Sequence, residues 1–188
     1  LARPDEAEET GWALEKLRSQ DPRAQVLAFE TGEPVLGDLA HQSLPLPGVQ
    51  EETRLGTRSV SALLLASMAA TSWLANREAL WNELMRVPDL LDFKALQTRI
   101  QTLVQSKPSH IAFLGSGPYY GVAAQGSLTM REMAGVPCEH QYFLEYRHGG
   151  HVALTNLMMA VGLISNTFRA ADEKTLGDMA VTRAIRVA

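Results

Sequence analysis

The chain has 188 residues, of which 46% are hydrophobic and 20% charged, so it has enough apolar side chains for a folded core and is not a disordered tail. Its net charge of −4, without a block of Lys or Arg, indicates neither nucleic acid nor an anionic membrane as a partner. The longest apolar stretch is too short to cross a bilayer, which takes about 20 residues. We therefore expect a soluble protein, and the single cysteine, Cys138, which cannot form an internal disulfide, favours the cytoplasm.

Short apolar runs that predict strands alternate along the chain with stretches of helical periodicity. The predicted helices and strands, in chain order, are helix 8–19, strand 25–29, one or two helical turns in 35–40, strand 43–47, helices 57–75, 76–85 and 89–104, strand 110–114, helix 119–134, strands 139–144 and 157–165, helix 170–180 and strand 184–187. This spacing predicts βαβ units and a mostly parallel sheet. The helix over 57–75 is apolar or small on nearly every side, so we expect it to be buried.

The same order of elements occurs twice along the chain, and residues 106–109 resemble a linker. We therefore expect a first lobe over 1–82, a connecting helix and linker over 83–107, and a second lobe over 108–188. The chain starts almost directly in a predicted helix and stops within a predicted strand, so we expect it to be truncated at both ends.

The turn Gly115-Ser116-Gly117 follows a predicted strand and precedes a helix that Pro118 opens. Backbone N–H groups in such a turn point towards the helix N-terminus, where anions bind well, and the Ser116 hydroxyl could add a further donor. The glycines could equally serve only to permit a tight turn. The turn alone therefore favours the structural interpretation.

A polar strip lies on the predicted helix over 119–134. At about 100° per residue, Gln125, Thr129 and Glu132 fall within a narrow arc, and apolar side chains occupy most of the remaining circumference. General acid–base catalysis uses a carboxylate of this kind when it is held near a substrate and partly buried. A solvated helix face has the same pattern, and periodicity alone favours that simpler interpretation.

The segment 145–151 contains Glu145, His148 and His151, interrupted by two glycines. This spacing matches no usual zinc motif, so we expect no metal. His148, in a glycine-rich loop after a predicted strand, is better placed as an acid/base group or as a hydrogen-bond donor to a substrate. A structural role in the turn fits the sequence nearly as well.

A polar segment leads into the long apolar helix. Either Thr57 or Ser59 fits a cap of that helix. Arg58 is harder to explain by packing, although many arginines at such positions only extend along the surface. Cys138 has no obvious base beside it except His140, and we predict that it is a buried strand residue.

Four segments, in this order, resemble the sugar-isomerase (SIS) family, and specifically its two-domain branch with tagatose-6-phosphate ketose/aldose isomerases, sugar-phosphate deaminases and the isomerase domain of glucosamine-6-phosphate synthase. The segments are Glu51-Glu52 with Thr57-Arg58-Ser59, then Phe113-Leu114-Gly115-Ser116-Gly117-Pro118, then Ala124-Gln125-Gly126-Ser127-Leu128-Thr129-Met130-Arg131-Glu132, and last Tyr146-Arg147-His148-Gly149-Gly150. The resemblance covers essentially the whole chain. It implies an α/β fold of two SIS lobes, each with a flavodoxin-like parallel sheet and helices on both faces.

The resemblance also implies roles for individual residues. Glu132 stands where the family has its enolisation base, and His148 where it has the histidine that assists ring opening, commonly in the neighbouring subunit's site. Thr57 and Arg58 stand in the segment that lines the sugar pocket.

On these grounds we expect a sugar-phosphate aldose/ketose isomerase that works through an enediol, as a homodimer and without a metal or organic cofactor. We expect Ser116 and Gln125 to contact the phosphorylated sugar or amino sugar together with Thr57 and Arg58. An amino-sugar-phosphate deaminase and a non-catalytic module that binds carbohydrate derivatives are the alternatives.

The chain departs from the family at the phosphate-binding loop, which is Ser-x-Ser-Gly-x-Thr in the first lobe of its members. The stretch at this place is Ala2-Arg3-Pro4-Asp5-Glu6-Ala7, which lacks the hydroxyls and the glycine and carries two carboxylates. In addition, Val60 replaces the usual Phe and Gly150 the usual Pro. We therefore expect either a piece of a longer chain or a member whose phosphate site has changed.

Overall fold

The computed structural model describes residues 7–51, 55–105, 107–183 and 186–187. The chain divides into two compact units, Leu1–Leu91 and Asp92–Ala188. This division falls within the predicted connecting segment 83–107, and the predicted lobe boundaries themselves remain a prediction. Residues 2–6 of the altered phosphate loop lie outside the described residues. Within the described ranges, no helix combines the length and the apolar character that crossing a membrane requires.

The first unit contains a small parallel sheet and several helices. Its elements are α1 (Ala7–Gln20), β1 (Leu27–Glu30), a 3-10 turn (Gly37–Leu39), β2 (Gln42–Pro45), α2 (Arg58–Leu74), α3 (Glu78–Met85) and α4 (Val87–Leu90). Strands β1 and β2 pair in parallel, with Leu27 opposite Gln42. The side chain of Glu30 is 1% exposed and accepts hydrogen bonds from Val35 N, Leu36 N and the Ser43 hydroxyl. This buried carboxylate ties β1 to the following turn and to β2.

The prediction that the helix over 57–75 is buried on all sides is wrong. Leu64 of α2 is 56% exposed and Trp73 is 69% exposed. The buried residues of α2 are Ser59, Leu63 and Ser72. Within its unit, α2 packs on α3 and β1, and a two-stranded sheet offers too narrow a surface to cover an apolar helix on more than one side.

The second unit contains the larger sheet. Its elements are α5 (Phe93–Val104), β3 (His110–Gly115), α6 (Tyr119–Ala134), β4 (Cys138–Gln141), α7 (Phe143–Arg147), a 3-10 turn (Gly150–Ala153), β5 (Met158–Leu163), α8 (Arg169–Arg183) and β6 (Arg186–Val187). The strand order is β4-β3-β5-β6, and every neighbouring pair is parallel. This is the flavodoxin-like arrangement, so the predicted α/β class with parallel sheets is confirmed.

Helices cover both faces of this sheet. Successive strand residues point to opposite faces, so β3 and β5 contribute to two separate cores. The core under α7 and α8 contains Ala112, Leu114, Phe143, Tyr146, Leu154, Met158, Ala160, Leu176 and Met179. The core under α6 contains Ile111, Cys138 and Met159, with Phe113, Met130, Val136 and Val161 packed against it. Helix α6 therefore lies on one face of the sheet, and α7 and α8 lie on the other.

Cys138 begins β4 and is buried, as predicted. Its thiol donates to the carbonyl oxygen of Val136 at 3.2 Å. Burial raises the pKa of this thiol, and the nearby positive charge of Arg131 opposes the rise only in part.

Two predicted elements differ from the structure. The strand predicted over 139–144 ends at Gln141, which pairs with Leu114 next to the end of β3, so the chain has little strand left to pair with and turns into α7. The helix predicted over 89–104 is divided into α4 and α5. Asp92 starts α5 because its Oδ1 accepts a hydrogen bond from Ala95 N at 2.9 Å, the usual geometry of an N-terminal cap.

Candidate functional site

The glycine turn after β3 brings the backbone of β3 and α6 into close approach. A Cβ atom on Gly115 would lie 2.4 Å from the carbonyl oxygen of Tyr119, so a larger residue does not fit there. Gly117 has a positive φ of 57°, which favours glycine. The turn lies where the chain order reverses between β3 and β5, a common position for ligands in open parallel sheets.

Ser116 in this turn is already engaged by a carboxylate. Its hydroxyl donates to Oδ1 of Asp172, in the first turn of α8, at 2.8 Å. Asp172 is 1% exposed, and its other oxygen has no hydrogen-bond partner among the described residues. Because a serine hydroxyl has one proton, Ser116 can only accept a hydrogen bond from a ligand in this arrangement. A sugar hydroxyl suits such an acceptor, whereas a phosphate beside Asp172 would be repelled.

The predicted polar strip of α6 is present. The side-chain amide of Gln125 donates to Thr129 Oγ1 at 3.2 Å. The buried residues of α6, Ala123 and Ser127, lie on the opposite side of the helix, so the strip faces away from the sheet. Glu132 is exposed within the chain, so the partial burial expected of a catalytic base is not provided by the residues described here.

Ser116 and Glu132 are not brought together. Ser116 precedes the N-terminus of α6, whereas Glu132 lies near its C-terminus. Thirteen residue steps separate Tyr119 from Glu132, which is about 20 Å along the helix axis. A single hexose phosphate could hardly contact both, so the two predicted site residues belong to different ends of the unit.

His148 lies on the other side of the sheet from Glu132. It follows α7 directly, is exposed, and its backbone N–H donates to the carbonyl oxygen of Glu145 at 2.9 Å. Since α6 covers one face and α7 the other, the sheet separates the two side chains within one chain.

In the described ranges, no group of three His, Cys, Asp or Glu side chains is arranged to hold a metal ion.

In the first unit, the N-terminus of α2 is occupied by Glu51. The carboxylate accepts hydrogen bonds from Thr57 N at 2.6 Å and from Ser59 N and Ser59 Oγ at 2.8 Å each. The Thr57 hydroxyl also donates to it, at 3.2 Å. The hydrogen bond from Ser59 N is the main reason why the pKa of Glu51 falls to about 2. Glu51 therefore caps α2, whereas the sequence predicted Thr57 or Ser59 in this role.

Arg58, the other residue predicted to line the sugar pocket, is exposed. Its guanidinium donates to the backbone carbonyl of Gln50 at 2.8 Å, which holds the segment before α2 against the start of the helix. Thr57 and Arg58 are thus adjacent to the Glu51 carboxylate, and both make hydrogen bonds within the chain.

Sequence reasoning missed two carboxylates. Asp172 reaches Ser116 across 56 positions, and Glu139 accepts a hydrogen bond from Tyr146 across the β4–α7 turn. No local pattern marks either, since Asp172 lies in an ordinary polar helix and Glu139 in a short strand. The only available signal was the acidic residue in the first turn of α8, which also fits a helix-dipole interaction.

Comparisons with known proteins bear on the fold. No family model matches the chain. A Streptomyces coelicolor protein named "Putative D-galactosamine-6-phosphate deaminase AgaS" is 30% identical over 113 residues, which is 58% of this chain and 29% of that protein. Among solved structures, the C-terminal domain of glucosamine-fructose-6-phosphate aminotransferase from Francisella tularensis matches with a TM-score of 0.80 and 18% identity, over 99% of this chain and 56% of the other.

Two further solved structures have the same fold. Tagatose-6-phosphate ketose/aldose isomerase from Escherichia coli has a TM-score of 0.70 and 20% identity, over 92% of this chain and 51% of its own. Glucosamine-6-phosphate deaminase from Thermotoga maritima has a TM-score of 0.71 and 21% identity, over 86% of this chain and 50% of its own. This chain therefore spans about half of each solved chain and less than a third of the curated relative.

The fold defines the class: this chain has the α/β architecture of SIS-domain proteins. Its structural neighbours include a tagatose-6-phosphate ketose/aldose isomerase, the C-terminal domain of a glucosamine-fructose-6-phosphate aminotransferase and a glucosamine-6-phosphate deaminase. The resemblance predicted from four sequence segments is thus confirmed at the level of the fold.

Proposed function

We propose that this chain is part of a sugar-phosphate aldose/ketose isomerase that moves a proton between adjacent carbons through an enediol. The observation that carries the proposal is the exposed Glu132 carboxylate on the polar strip of α6, in a unit with the SIS fold. Enolisation needs one base that removes and returns a proton, and general acid–base catalysis contributes about 10²–10⁴-fold to such a step. This chemistry requires neither a metal nor an organic cofactor.

In this proposal Glu132 takes the proton from the carbon next to the carbonyl group. The Gln125–Thr129 hydrogen bond lies on the same strip and provides polar groups for the sugar hydroxyls. Thr57, Arg58 and Ser116 remain predicted substrate contacts, but Ser116, at the opposite end of α6 from Glu132, does not share one hexose phosphate with Glu132 of the same chain.

The position of His148 supports a site shared between two copies of the chain. Because the sheet separates His148 from Glu132 in one chain, a homodimer is the simplest assembly in which both contact one substrate. A second copy placed over the strip would also bury Glu132, which a base needs and which its own chain does not provide. His148 would then assist ring opening in the partner's site.

A deaminase is the second candidate, and the Streptomyces coelicolor relative favours it. Deamination of an amino-sugar phosphate begins with the same proton transfer, so the same base serves. The two reactions differ in their products, because only the deaminase releases ammonia. The phosphorylated sugar or amino sugar and a cytoplasmic location belong to both proposals.

The test is incubation of the full-length protein with hexose 6-phosphates and hexosamine 6-phosphates in deuterium oxide. Incorporation of deuterium next to the carbonyl carbon, followed by proton NMR, reports enediol formation in either reaction, and an ammonia assay separates the two. We expect Glu132→Gln to reduce exchange by about 10²–10⁴-fold without changing the melting temperature. Glu173→Gln, at an exposed carboxylate of α8, is the matched control and should exchange at the wild-type rate.

The shared site has its own test. Glu132→Gln and His148→Ala should each be inactive alone and should regain activity when mixed and refolded together. With random association about half of the dimers are mixed, and each has one complete site of two, so about a quarter of wild-type activity should return. No recovery in dimers shown to be mixed would contradict a shared site, and wild-type exchange by Glu132→Gln would contradict the role of Glu132.

A further inference from the structure

The loop that carries His148 is anchored by a buried tyrosine. Tyr146, two residues earlier, has a side chain that is 0% exposed within the core under α7 and α8. Its hydroxyl donates to Oε1 of Glu139 on β4 at 3.0 Å. Nε2 of His110, at the start of β3, lies 3.3 Å from the same oxygen. One carboxylate oxygen on β4 therefore contacts both α7 and the first residue of β3.

The chemistry of these groups fixes the direction of both hydrogen bonds. Burial raises the pKa of Tyr146, and the charge of Glu139 raises it further, so the phenol keeps its proton and donates it. A carboxylate has only acceptors, so the Nε2 atom of His110 is the nitrogen that carries the hydrogen. Glu139 is about one-third exposed and can remain hydrated on its other side.

The rest of Tyr146 contacts the loop on both sides of His148. The backbone N–H of Gly149 donates to the Tyr146 carbonyl oxygen at 3.4 Å, and Nδ1 of His151 lies 3.3 Å from that oxygen. A Cβ atom on Gly150 would lie 2.3 Å from Cδ2 of the Tyr146 ring. Gly150 is thus packed directly against the ring, and a side chain at position 150 would have to displace either the ring or the loop.

Helix α7 cannot hold this loop by itself. It has five residues, and a helix of so few residues is not stable without tertiary contacts. The ring could be kept in the core by packing alone, as a phenylalanine would be. The hydroxyl adds a directional bond to the edge of the sheet, which packing does not supply.

We propose that Tyr146 and Glu139 are positioning residues for His148: their hydrogen bond sets the orientation of the ring, and the ring sets the loop 147–151. This inference rests on the proposed function for its effect on turnover, although the orientation of the loop can be measured without it. His110 supports the pair through the second hydrogen bond to the same oxygen.

The experiment compares Tyr146→Phe with wild type in the full-length protein, by kinetics and by NMR of the histidine side chains. The variant keeps the ring and loses only the hydroxyl, so we expect an unchanged fold, an unchanged KM and a kcat lower by about tenfold, since small misplacements of a catalytic group are costly. The His148 imidazole signals, assigned with His148→Gln, should shift and broaden. Tyr142→Phe, at an exposed tyrosine stacked on Tyr120, is the matched control and should change neither.

Glu139→Ala removes the acceptor of the same hydrogen bond. It should therefore also lower kcat and shift the His148 signals. The double variant Tyr146→Phe/Glu139→Ala should be no worse than Glu139→Ala alone, because Glu139→Ala already lacks the hydrogen bond that Tyr146→Phe removes. Unshifted His148 signals in both single variants, or effects that add in the double variant, would overturn the proposal. If the protein has no isomerase or deaminase activity, the proposed function fails, and the NMR comparison still decides whether Tyr146 positions His148.

Discussion

Two helix N-termini, one in each unit, contact a carboxylate of the chain itself, in different ways. At α2, Glu51 accepts two backbone N–H groups and two hydroxyls directly and remains partly exposed. At α6, Asp172 is fully buried and reaches the turn only through the Ser116 hydroxyl. Glu51 occupies the place where a helix N-terminus could bind an anion. Asp172 instead takes up the Ser116 hydroxyl, which could otherwise donate to an anion.

The difference has a consequence for ligand binding. A phosphate at α2 would compete with a carboxylate that is hydrogen-bonded but free to move towards water. A phosphate at α6 would face a buried charge that cannot move away. We therefore expect the loss of each carboxylate to change the stability of the protein by a different amount.

Asp172→Ala should lower the free energy of unfolding by about 3 kcal/mol, because it removes a buried hydrogen-bonded carboxylate and leaves the Ser116 hydroxyl without an acceptor. Urea denaturation measures it. Asp178→Ala, on the same helix but exposed and paired with Lys174, should change stability by less than about 0.5 kcal/mol. Equal effects at the two positions would mean that burial of Asp172 does not matter to the fold.

Glu51→Ala should lower the free energy of unfolding by about 1–2 kcal/mol, the range for loss of a helix cap. The effect is smaller than at Asp172 because water can reach the N–H groups that Glu51 leaves. Glu83→Ala, at an exposed carboxylate of α3, serves as the control for removing a charge in the same unit. A Glu51→Ala variant with the same free energy of unfolding as the wild type would contradict the capping role.

The stability that Glu51 provides should depend on pH. Its pKa falls to about 2 from an ordinary 4.5, so the unfolded chain binds the proton more readily than the folded one. The contribution is therefore complete above about pH 4.5 and is lost as the pH falls through about 2. Carbon-13 NMR of the carboxyl group gives the pKa directly, and in Glu51→Gln the stability curve should be flatter over this interval. A midpoint near 4.5 would contradict the hydrogen bonds described at Thr57 and Ser59.

The smallest effect is expected with inorganic phosphate. Titrated into the protein at millimolar concentrations, it should produce no saturable shift in the backbone amide signals of Ser116 and Gly117, because Asp172 disfavours an anion there. Asp172→Asn removes that charge and is the variant in which any weak binding should first be seen. A saturable shift in the wild-type protein would place an anion site at this turn and would contradict the acceptor role of Ser116.

The strand–turn–helix around Gly115 could be predicted nearly to the residue, because local signals agree there: a buried apolar run, two glycines, and a proline at the helix start. The end of β4 could not, since it depends on where the neighbouring strand β3 ends. The predicted burial of α2 failed because composition reports how apolar a helix is, not how much surface its unit has to cover it.

The candidate site was predictable only in part. The strip Gln125–Thr129–Glu132 follows from helical periodicity and is present. The separation of Glu132 from His148 depends on which face of the sheet each helix covers, and no spacing in the sequence encodes it. Asp172 and Glu139 act across long sequence distances, so only the folded chain shows their partners.

The burial of Cys138 under α6 also provides a natural probe for opening of the second unit. Alkylating reagents react with a thiolate, and this thiol is shielded both by its raised pKa and by the helix above it. Its rate of labelling under native conditions therefore measures how often α6 detaches from the sheet, which is a local opening rather than complete unfolding. Because the sequence contains no other cysteine, this labelling rate can be measured without removing another thiol and without correcting for one.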